Sequence, residues 1–181
     1  MPQSNQPRKL PAFVRAALGA RGAPWLVAAL CAAVLAAAHI LQAFGMVPCE
    51  LCLKQREPYW AAIPLAATAG ALGFWRASPR LAAPFLMTLA AAVLLYGAGK
   101  AAEHVGVIAH WWTSTCSAAK DLSIDDVMSG RAGAPIVACD TAPAFLGVTL
   151  PAWNFLAAIA LAAISASVPA RLFLTKALKA N

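Results

Sequence analysis

The sequence contains little charge and few acidic residues. Asp, Glu, Lys and Arg make up only 12% of its 181 residues, against about 25% in soluble domains. Hydrophobic residues make up 61%, which excludes a disordered chain. The net charge of +7 is compatible with nucleic-acid binding only if the cations cluster with aromatics on one face. Here the cations are spread between long apolar runs, so we predict no nucleic-acid partner.

Four long runs contain no charged residue. A transmembrane helix needs about 20 mostly apolar residues, and these runs are also rich in small residues, which let helices pack closely in lipid. The fourth span is expected to begin near Leu150, because a proline such as Pro151 is tolerated in a first helical turn. The sequence therefore predicts an all-α membrane protein, a bundle of four transmembrane helices. The predicted spans are about 24–47, 59–75, 81–99 and 150–168.

The basic residues orient this bundle, because cytoplasmic loops carry the excess of Lys and Arg. One side has nine cations and no acid: Arg8, Lys9, Arg15, Arg21, Arg76, Arg80, Arg171, Lys176 and Lys179. The other side has five cations, Lys54, Arg56, Lys100, Lys120 and Arg131, and all seven acids, Glu50, Glu57, Glu103, Asp121, Asp125, Asp126 and Asp140. We therefore expect cytoplasmic tails at 1–23 and 169–181 around a membrane domain at 24–168.

On the outer side the same topology predicts a short first loop, 48–58, and a long second loop, 100–143. In a bacterium these loops are periplasmic, and the protein is a multi-pass protein of the inner membrane. A cleaved signal peptide is the alternative for the N-terminus. Its apolar region runs over about 7–15 residues, which is shorter than the first predicted span.

Four of the five cysteines lie in the two outer loops, two in each: Cys49 and Cys52, then Cys116 and Cys139. Disulfides persist in oxidising compartments such as the periplasm, so this distribution suggests two disulfides. Four cysteines allow three pairings, of which Cys49–Cys52 with Cys116–Cys139 is the simplest. The fifth, Cys31, lies within the first span and is interpreted as a small buried hydrophobe.

The C-x-x-C pair closes a very small ring, which gains little from loop closure. Such pairs are typically redox-active, with one thiol of lowered pKa. Pro48 and the following apolar span place the motif near a helix start, where the helix dipole favours a thiolate. Arg56 follows Cys52 by one helical turn. Its charge is suited to stabilise the Cys52 thiolate or to hold a polar ligand oxygen, although an interface-snorkelling cation is the simpler interpretation.

Less specific interpretations remain open for these cysteines. The C-x-x-C motif is half of a zinc site in many proteins, although the second pair, with 22 residues between its cysteines, does not resemble a second metal knuckle. Cys116–Cys139 alone is typical of a structural staple. Among the polar residues near the spans, His39 and His104 are candidates to face the bundle mouth, since intramembrane polar residues are often functional. Gln42 is a candidate polar wall residue, and a hydrogen bond between helices is the simpler interpretation of His39 with Gln42.

Two stretches resemble a known family. Residues 48–56, Pro-Cys-Glu-Leu-Cys-Leu-Lys-Gln-Arg, resemble the P-C-x-x-C-x-x-x-R signature of the DsbB family of disulfide bond formation proteins. Cys139-Asp140 and residues 145–153 resemble the region between that family's last cysteine and its fourth helix. The four predicted spans and the two cysteine pairs agree, so the resemblance covers about residues 24–168. Gln55 departs from the pattern, because some relatives have a carboxylate there.

The resemblance implies a thiol:quinone oxidoreductase. A reduced DsbA-like periplasmic partner is then expected to attack Cys116 of the Cys116–Cys139 disulfide, and Cys139 to attack Cys49. Cys52 is released and passes the electrons to a membrane quinone, ubiquinone or menaquinone. By the same resemblance Arg56 and His104 are expected to bind that quinone. Rival interpretations are a DsbI-type or vitamin K epoxide reductase-like relative with another donor, and a metal-binding membrane protein with four thiolates.

Overall fold

The computed structural model describes residues 19, 21–73, 81–113, 116 and 139–180, with the backbone alone for 172–180. These residues are mostly helical. The elements in chain order are the helices α1 (Ala23–Ala43), α2 (Glu50–Lys54), α3 (Glu57–Leu72) and α4 (Ala82–Ile108), the strands β1 (Ala144–Phe145) and β2 (Val148–Thr149), and the helix α5 (Leu150–Ala180).

Within the described residues, three helices are long and apolar enough to cross a membrane: α1, α4 and the part of α5 from Leu150 to Arg171. They indicate a multi-pass membrane protein. The helix α3 has 16 described residues, which is about 24 Å at 1.5 Å per residue, against a hydrocarbon core of about 30 Å. Its predicted span continues to position 75, and positions 74–80 lie outside the described residues. The count of four spans therefore stays a prediction.

The four longer helices lie side by side. The helix α4 packs against both α3 and α5, and α1 packs against α3 and, less extensively, against α5. Small residues make these contacts close. A Cβ on Gly70 of α3 would lie 2.7 Å from the ring of Trp25 on α1, and one on Gly97 of α4 would lie 3.0 Å from Pro58 on α3. The start of α3 is thus held tightly against α4.

Two helices extend beyond the predicted spans. The helix α4 continues nine residues past Gly99 to Ile108. Its two charged residues there neutralise each other, because Lys100 Nζ lies 2.8 Å from Glu103 Oε2 one turn on. This extension places His104 on the helix, fully buried, and not in a loop after it. The helix α5 likewise continues through Pro169 to Ala180, across most of the expected C-terminal tail.

A two-stranded hairpin leads from Cys139 into α5. The strands β1 and β2 pair antiparallel, with Ala144 opposite Thr149 and Phe145 opposite Val148. The turn residues Leu146 and Gly147 have positive φ angles of 54° and 77°, as a tight two-residue hairpin turn requires. The hairpin is tied to α5 because Trp153 Nε1 donates to the carbonyl oxygen of Phe145 at 3.0 Å.

Candidate active site

Cys49 and Cys52 flank the start of α2. Cys49 is the N-cap of this helix, with extended backbone, and its Sγ accepts a hydrogen bond from the backbone N–H of Cys52 at 3.2 Å. A sulfur thus fills the place that a Ser or Asp oxygen usually takes at a helix start. Both cysteines are free thiols in this structure, and their sulfurs lie 2.7 Å apart. The motif is therefore held in a geometry from which a disulfide can close.

His104 approaches the same pair from α4. Its Nε2 lies 3.8 Å from Cys49 Sγ, and its Nδ1 lies 2.7 Å from Gln55 Nε2. Gln55 is itself 5% exposed, and its Oε1 accepts a hydrogen bond from Asn154 Nδ2 on α5 at 2.8 Å. Cys49 therefore contacts the first of three hydrogen-bonded polar side chains, His104, Gln55 and Asn154, which come from three separate elements.

The contacts of the pair place the negative charge on Cys49. The hydrogen bond from the Cys52 thiol, with those from His104 and from the Cys52 backbone N–H, lowers the pKa of Cys49 to about 4, although burial opposes the shift. The pKa of Cys52 is raised, because its thiol donates to Cys49 and because it is buried. Arg56 lowers the Cys52 pKa only as the smallest contribution. In this dithiol state Arg56 is therefore not the main determinant of which sulfur ionises.

The second cysteine pair packs against the first. Cys116 and Cys139 form a disulfide. Cys139 and Cys49, which are 2% and 3% exposed, share one buried cluster with Leu51 and Val107, and Cys52 and Cys116 pack against it. Cys116 is the more accessible member of its disulfide, because it is only half-buried. A disulfide relay between the two pairs therefore has its sulfurs gathered at one end of the helices.

A cavity of about 310 Å³ opens beside Cys52, between α1, α2 and the first turns of α3 and α5. Its size lies at the lower end of the range for small-molecule sites, and its lining is mostly apolar. Among its lining residues, Arg56 donates from Nη1 to Gln42 Oε1 at 2.8 Å. The polar and sulfur-bearing lining residues are Gln42, Met46, Cys52, Gln55, Arg56, Tyr59 and Asn154.

The structure brings some of the predicted site residues together here and separates others. Arg56, Gln42 and Cys52 line the cavity. His104 is not among its lining residues and lies behind Cys49 instead, so direct contact between His104 and a bound quinone stays a prediction. His39 is exposed, and its ring lies tilted against the ring of Trp60, with ring centroids 6.3 Å apart.

Sequence reasoning missed Asn154 and Tyr59. The Tyr59 hydroxyl donates to Asn154 Oδ1 at 2.6 Å, and both side chains line the cavity. Asn154 had a usable signal, because it is the one amide within the fourth apolar run, and polar residues inside a span are often functional. Tyr59 had no such signal, since a tyrosine at a span end is ordinary interfacial composition.

A metal ion is the alternative occupant of this cysteine cluster. The sulfurs of Cys49 and Cys52 and the near nitrogen of His104 all lie within 4.8 Å of one another. Three protein ligands and an open position are typical of catalytic zinc. The site of four thiolates considered from the sequence does not form here, because Cys116 and Cys139 are bonded to each other.

Comparison with known families identifies the chain. The family model of DsbB, disulfide bond formation protein DsbB, matches residues 20–168. Neither the curated proteins nor the solved structures give a match. The matched segment contains both cysteine pairs, Arg56 and His104, and it is much more than half of the chain. The resemblance seen in the sequence is thereby confirmed: this chain belongs to the DsbB family, whose members are membrane oxidoreductases of disulfide bond formation.

Proposed function

We propose that this protein is an inner-membrane thiol:quinone oxidoreductase. It reoxidises a periplasmic DsbA-like dithiol and passes the electron pair through its two cysteine pairs to a membrane quinone. One observation carries the proposal. The C-x-x-C motif has one sulfur in the wall of an apolar cavity that also contains Arg56, and its other sulfur packs in a cluster with the Cys116–Cys139 disulfide.

The first exchange takes place at Cys116. A thiolate of the partner attacks Cys116 Sγ, the Cys116–Cys139 bond breaks, and Cys139 leaves as a thiolate. The accessibility of the two sulfurs supports this direction, because Cys116 is half-buried and Cys139 is 2% exposed. Access decides which sulfur of a disulfide is attacked.

The second exchange transfers the oxidising equivalent inside the molecule. The Cys139 thiolate attacks Cys49 of an oxidised Cys49–Cys52 pair, and Cys52 leaves as a thiolate. The partner's second thiol then displaces Cys116, which attacks Cys139 and releases Cys49. The partner has lost two electrons and two protons, Cys116–Cys139 is restored, and Cys49 and Cys52 are two thiols. This last state of the motif is the one that the structure describes.

The cavity residues fit a quinone. When bound there, a quinone supplies a two-electron, two-proton acceptor that allows the Cys49–Cys52 disulfide to form again. The apolar lining suits a ring and its lipid tail, and Cys52 is the cysteine of the motif that lines the cavity. Arg56 offers guanidinium N–H donors for a carbonyl oxygen, and Gln42 holds that guanidinium in place. His104 serves the same centre through its contact with Cys49.

The topology is part of the proposal. We propose four spans, with tails 1–23 and 169–181 in the cytoplasm and segments 48–58 and 100–143 in the periplasm. The segregation of all seven acidic residues to the side of the redox cysteines supports it. A membrane-impermeant maleimide added to whole cells should label a single cysteine introduced at Ser123, on the outer side, in a chain that lacks its own cysteines. A cysteine introduced at Ser78 should remain unlabelled until the cells are opened.

The central experiment follows quinone absorbance. The purified chain is mixed with a reduced DsbA-like protein and with ubiquinone or menaquinone, and one quinol should form for each dithiol oxidised. The Cys31→Ala variant is the matched control, because Cys31 packs in the core between the helices and not in the cluster of the two cysteine pairs, and it should retain full activity. Absence of thiol-dependent quinone reduction with both quinones would refute the proposal.

Metal analysis of the same protein tests the second candidate function. A stoichiometric metal bound through Cys49, Cys52 and His104, together with no quinone reduction, would favour the metal-binding alternative. Protein that is free of metal and turns over quinone would exclude it.

A further inference from the structure

A continuous chain of polar contacts runs from Cys49 into the helix bundle. It leads from Cys49 Sγ to His104 at 3.8 Å, from His104 to Gln55 at 2.7 Å and from Gln55 to Asn154 at 2.8 Å, and it ends at Tyr59 at 2.6 Å. Tyr59 and His104 are 1% and 0% exposed. These polar contacts join residues of four elements, α2, α3, α4 and α5. The mechanism above uses only Cys49 and His104.

The hydroxyl end of the chain sets the direction of its hydrogen bonds. The contact of 2.6 Å between the Tyr59 hydroxyl and the Asn154 side chain is typical of an O–H···O bond and shorter than an ordinary N–H···O bond. The oxygen of Asn154 therefore faces Tyr59. The backbone oxygen of Asn154 lies 3.4 Å from the same hydroxyl, so two oxygens of Asn154 lie near it and the hydroxyl is the donor.

This direction propagates to the histidine. With its oxygen toward Tyr59, Asn154 presents Nδ2 to Gln55 and donates to Gln55 Oε1. Gln55 then turns Nε2 toward His104 Nδ1. An amide nitrogen can only donate, so Nδ1 is the acceptor and the proton of the neutral ring is on Nε2. That proton points at the sulfur of Cys49.

We propose that Tyr59, Asn154 and Gln55 are positioning residues that hold His104 as the neutral tautomer with its proton on Nε2, as a fixed donor to Cys49. The inference rests on the proposed function in so far as Cys49 is a redox thiol. A donor held in this way stabilises the Cys49 thiolate when the pair is reduced. It also occupies the nitrogen that a metal would need, because a metal binds the lone pair of an unprotonated imidazole nitrogen.

The amide of Gln55 is needed to hold His104 in this tautomer. An amide at this position places no negative charge beside His104 Nδ1 and can only donate there while its oxygen is held by Asn154. A carboxylate would accept a hydrogen bond from a protonated Nδ1, and the neutral ring would then have its free lone pair on Nε2. Gln55 therefore selects between a histidine that donates to sulfur and a histidine that binds a metal.

The direct test measures the tautomer of His104. The full chain, labelled with ¹⁵N-histidine, is reduced and placed in lipid nanodiscs, and the two ring nitrogens of His104 are assigned by loss of their signals in His104→Gln. The wild type should show a protonated Nε2 and an unprotonated Nδ1. The Asn154→Leu variant removes the orienting amide, so the two nitrogen shifts should move toward each other as both tautomers become populated.

A substitution of nearly unchanged shape gives the sharpest outcome. Asn154→Asp replaces the donor that faces Gln55 by an acceptor, so the Gln55 amide should rotate and present its oxygen to His104. The tautomer should then reverse, with the proton on Nδ1. A purely structural role of Asn154 would not reverse it. Tyr59→Phe should shift the tautomer in the same sense as Asn154→Leu, and Tyr96→Phe, at the exposed tyrosine of α4, is the matched control without effect.

A wild type with its proton on Nδ1, or an Asn154→Asp variant with the wild-type tautomer, would overturn the inference. Neither readout depends on turnover. If the quinone assay fails while His104 has its proton on Nε2, only the proposed function is refuted. If the protein is active while the His104 tautomers exchange freely, only the positioning of His104 is refuted.

Discussion

Cys49 and Cys52 belong to one motif, yet they face different parts of the molecule. Cys52 lies in the wall of the apolar cavity with Arg56, whereas Cys49 lies against His104 and in the cluster of the second cysteine pair. The helix start at α2 creates this difference, because the capping Cys49 points back onto the helix and Cys52 lies a turn further on. In the proposed function, this short helix separates the sulfur that exchanges disulfides from the sulfur that faces the electron acceptor.

The largest expected effect comes from removing the sulfur on the cavity side. Cys52→Ser should abolish quinone reduction, because the disulfide that a quinone regenerates can no longer form. The variant should still form a mixed disulfide at Cys116 with a partner trapped as a single-cysteine mutant. Quinone absorbance and non-reducing electrophoresis measure the two steps separately. Loss of both steps would contradict the separation of the two sides.

The next effect is a difference in reactivity between the two sulfurs of the reduced protein. With a pKa lowered to about 4, Cys49 is a thiolate above that pH, whereas at pH 6 an ordinary thiol is ionised only to a few parts in about a thousand. Alkylation of Cys49 by iodoacetamide should therefore be nearly independent of pH from 5 to 8 and should fall only as the pH approaches 4.

Mass spectrometry of the alkylated peptide measures this difference, with Cys52 expected to remain unmodified at pH 6 because its pKa is raised. His104→Gln should move the onset of Cys49 alkylation to higher pH, since one of the hydrogen bonds that lower the pKa is lost. Preferential alkylation of Cys52 at pH 6 would show that Cys52, and not Cys49, is the thiolate, and would contradict this prediction.

A smaller effect is expected at the cation of the cavity. Arg56→Gln removes a charged donor, and hydrogen bonds to charged groups contribute about 1.5–3 kcal/mol. The KM for quinone should rise by about 10- to 100-fold, with the exchange between the partner and Cys116 unchanged. Lys54→Gln is the matched control, because Lys54 is a nearby cation whose ion pair with Glu50 is exposed and contributes little. Equal losses in both steps would argue against a place for Arg56 in a quinone site.

The features predictable from sequence were those set by local spacing. The C-x-x-C motif, the position of Arg56 one turn later and the helical class of the apolar runs all depend on neighbours within a few residues. The disulfide Cys116–Cys139 belongs to the simplest of the three pairings that the sequence allowed, whereas the second expected disulfide, Cys49–Cys52, is not formed in this structure. These features all lie within residues 20–168, the segment that matches the DsbB family.

The features that sequence reasoning missed depend on contacts between helices. The position of His104 behind Cys49 required α4 to continue past Gly99, which the pairing of Lys100 with Glu103 allows. The lowered pKa of Cys49 follows first from the hydrogen bond of the Cys52 thiol and then from His104 and the capping N–H, whereas charge along the sequence pointed to Arg56. Likewise, Asn154 and Tyr59 are 95 residues apart in the chain and meet only in the folded bundle.

The smallest predicted effect tests the close packing of α4 against the start of α3. Gly97 lies on α4 two turns before His104 and meets Pro58, the neighbour of Tyr59, so it sets how closely α4 approaches the start of α3. Gly97→Ala places a Cβ 3.0 Å from Pro58, and such overpacking costs about 1–3 kcal/mol.

Gly99→Ala is the matched control on the same helix, because no atom lies within 4 Å of its added Cβ. Reversible unfolding in mixed micelles should show a lower free energy of unfolding for Gly97→Ala and an unchanged or higher one for Gly99→Ala, since alanine favours a helix by up to about 1 kcal/mol over glycine. Equal stability of the two variants would show that the approach of Gly97 to Pro58 does not limit the packing of α4 against α3.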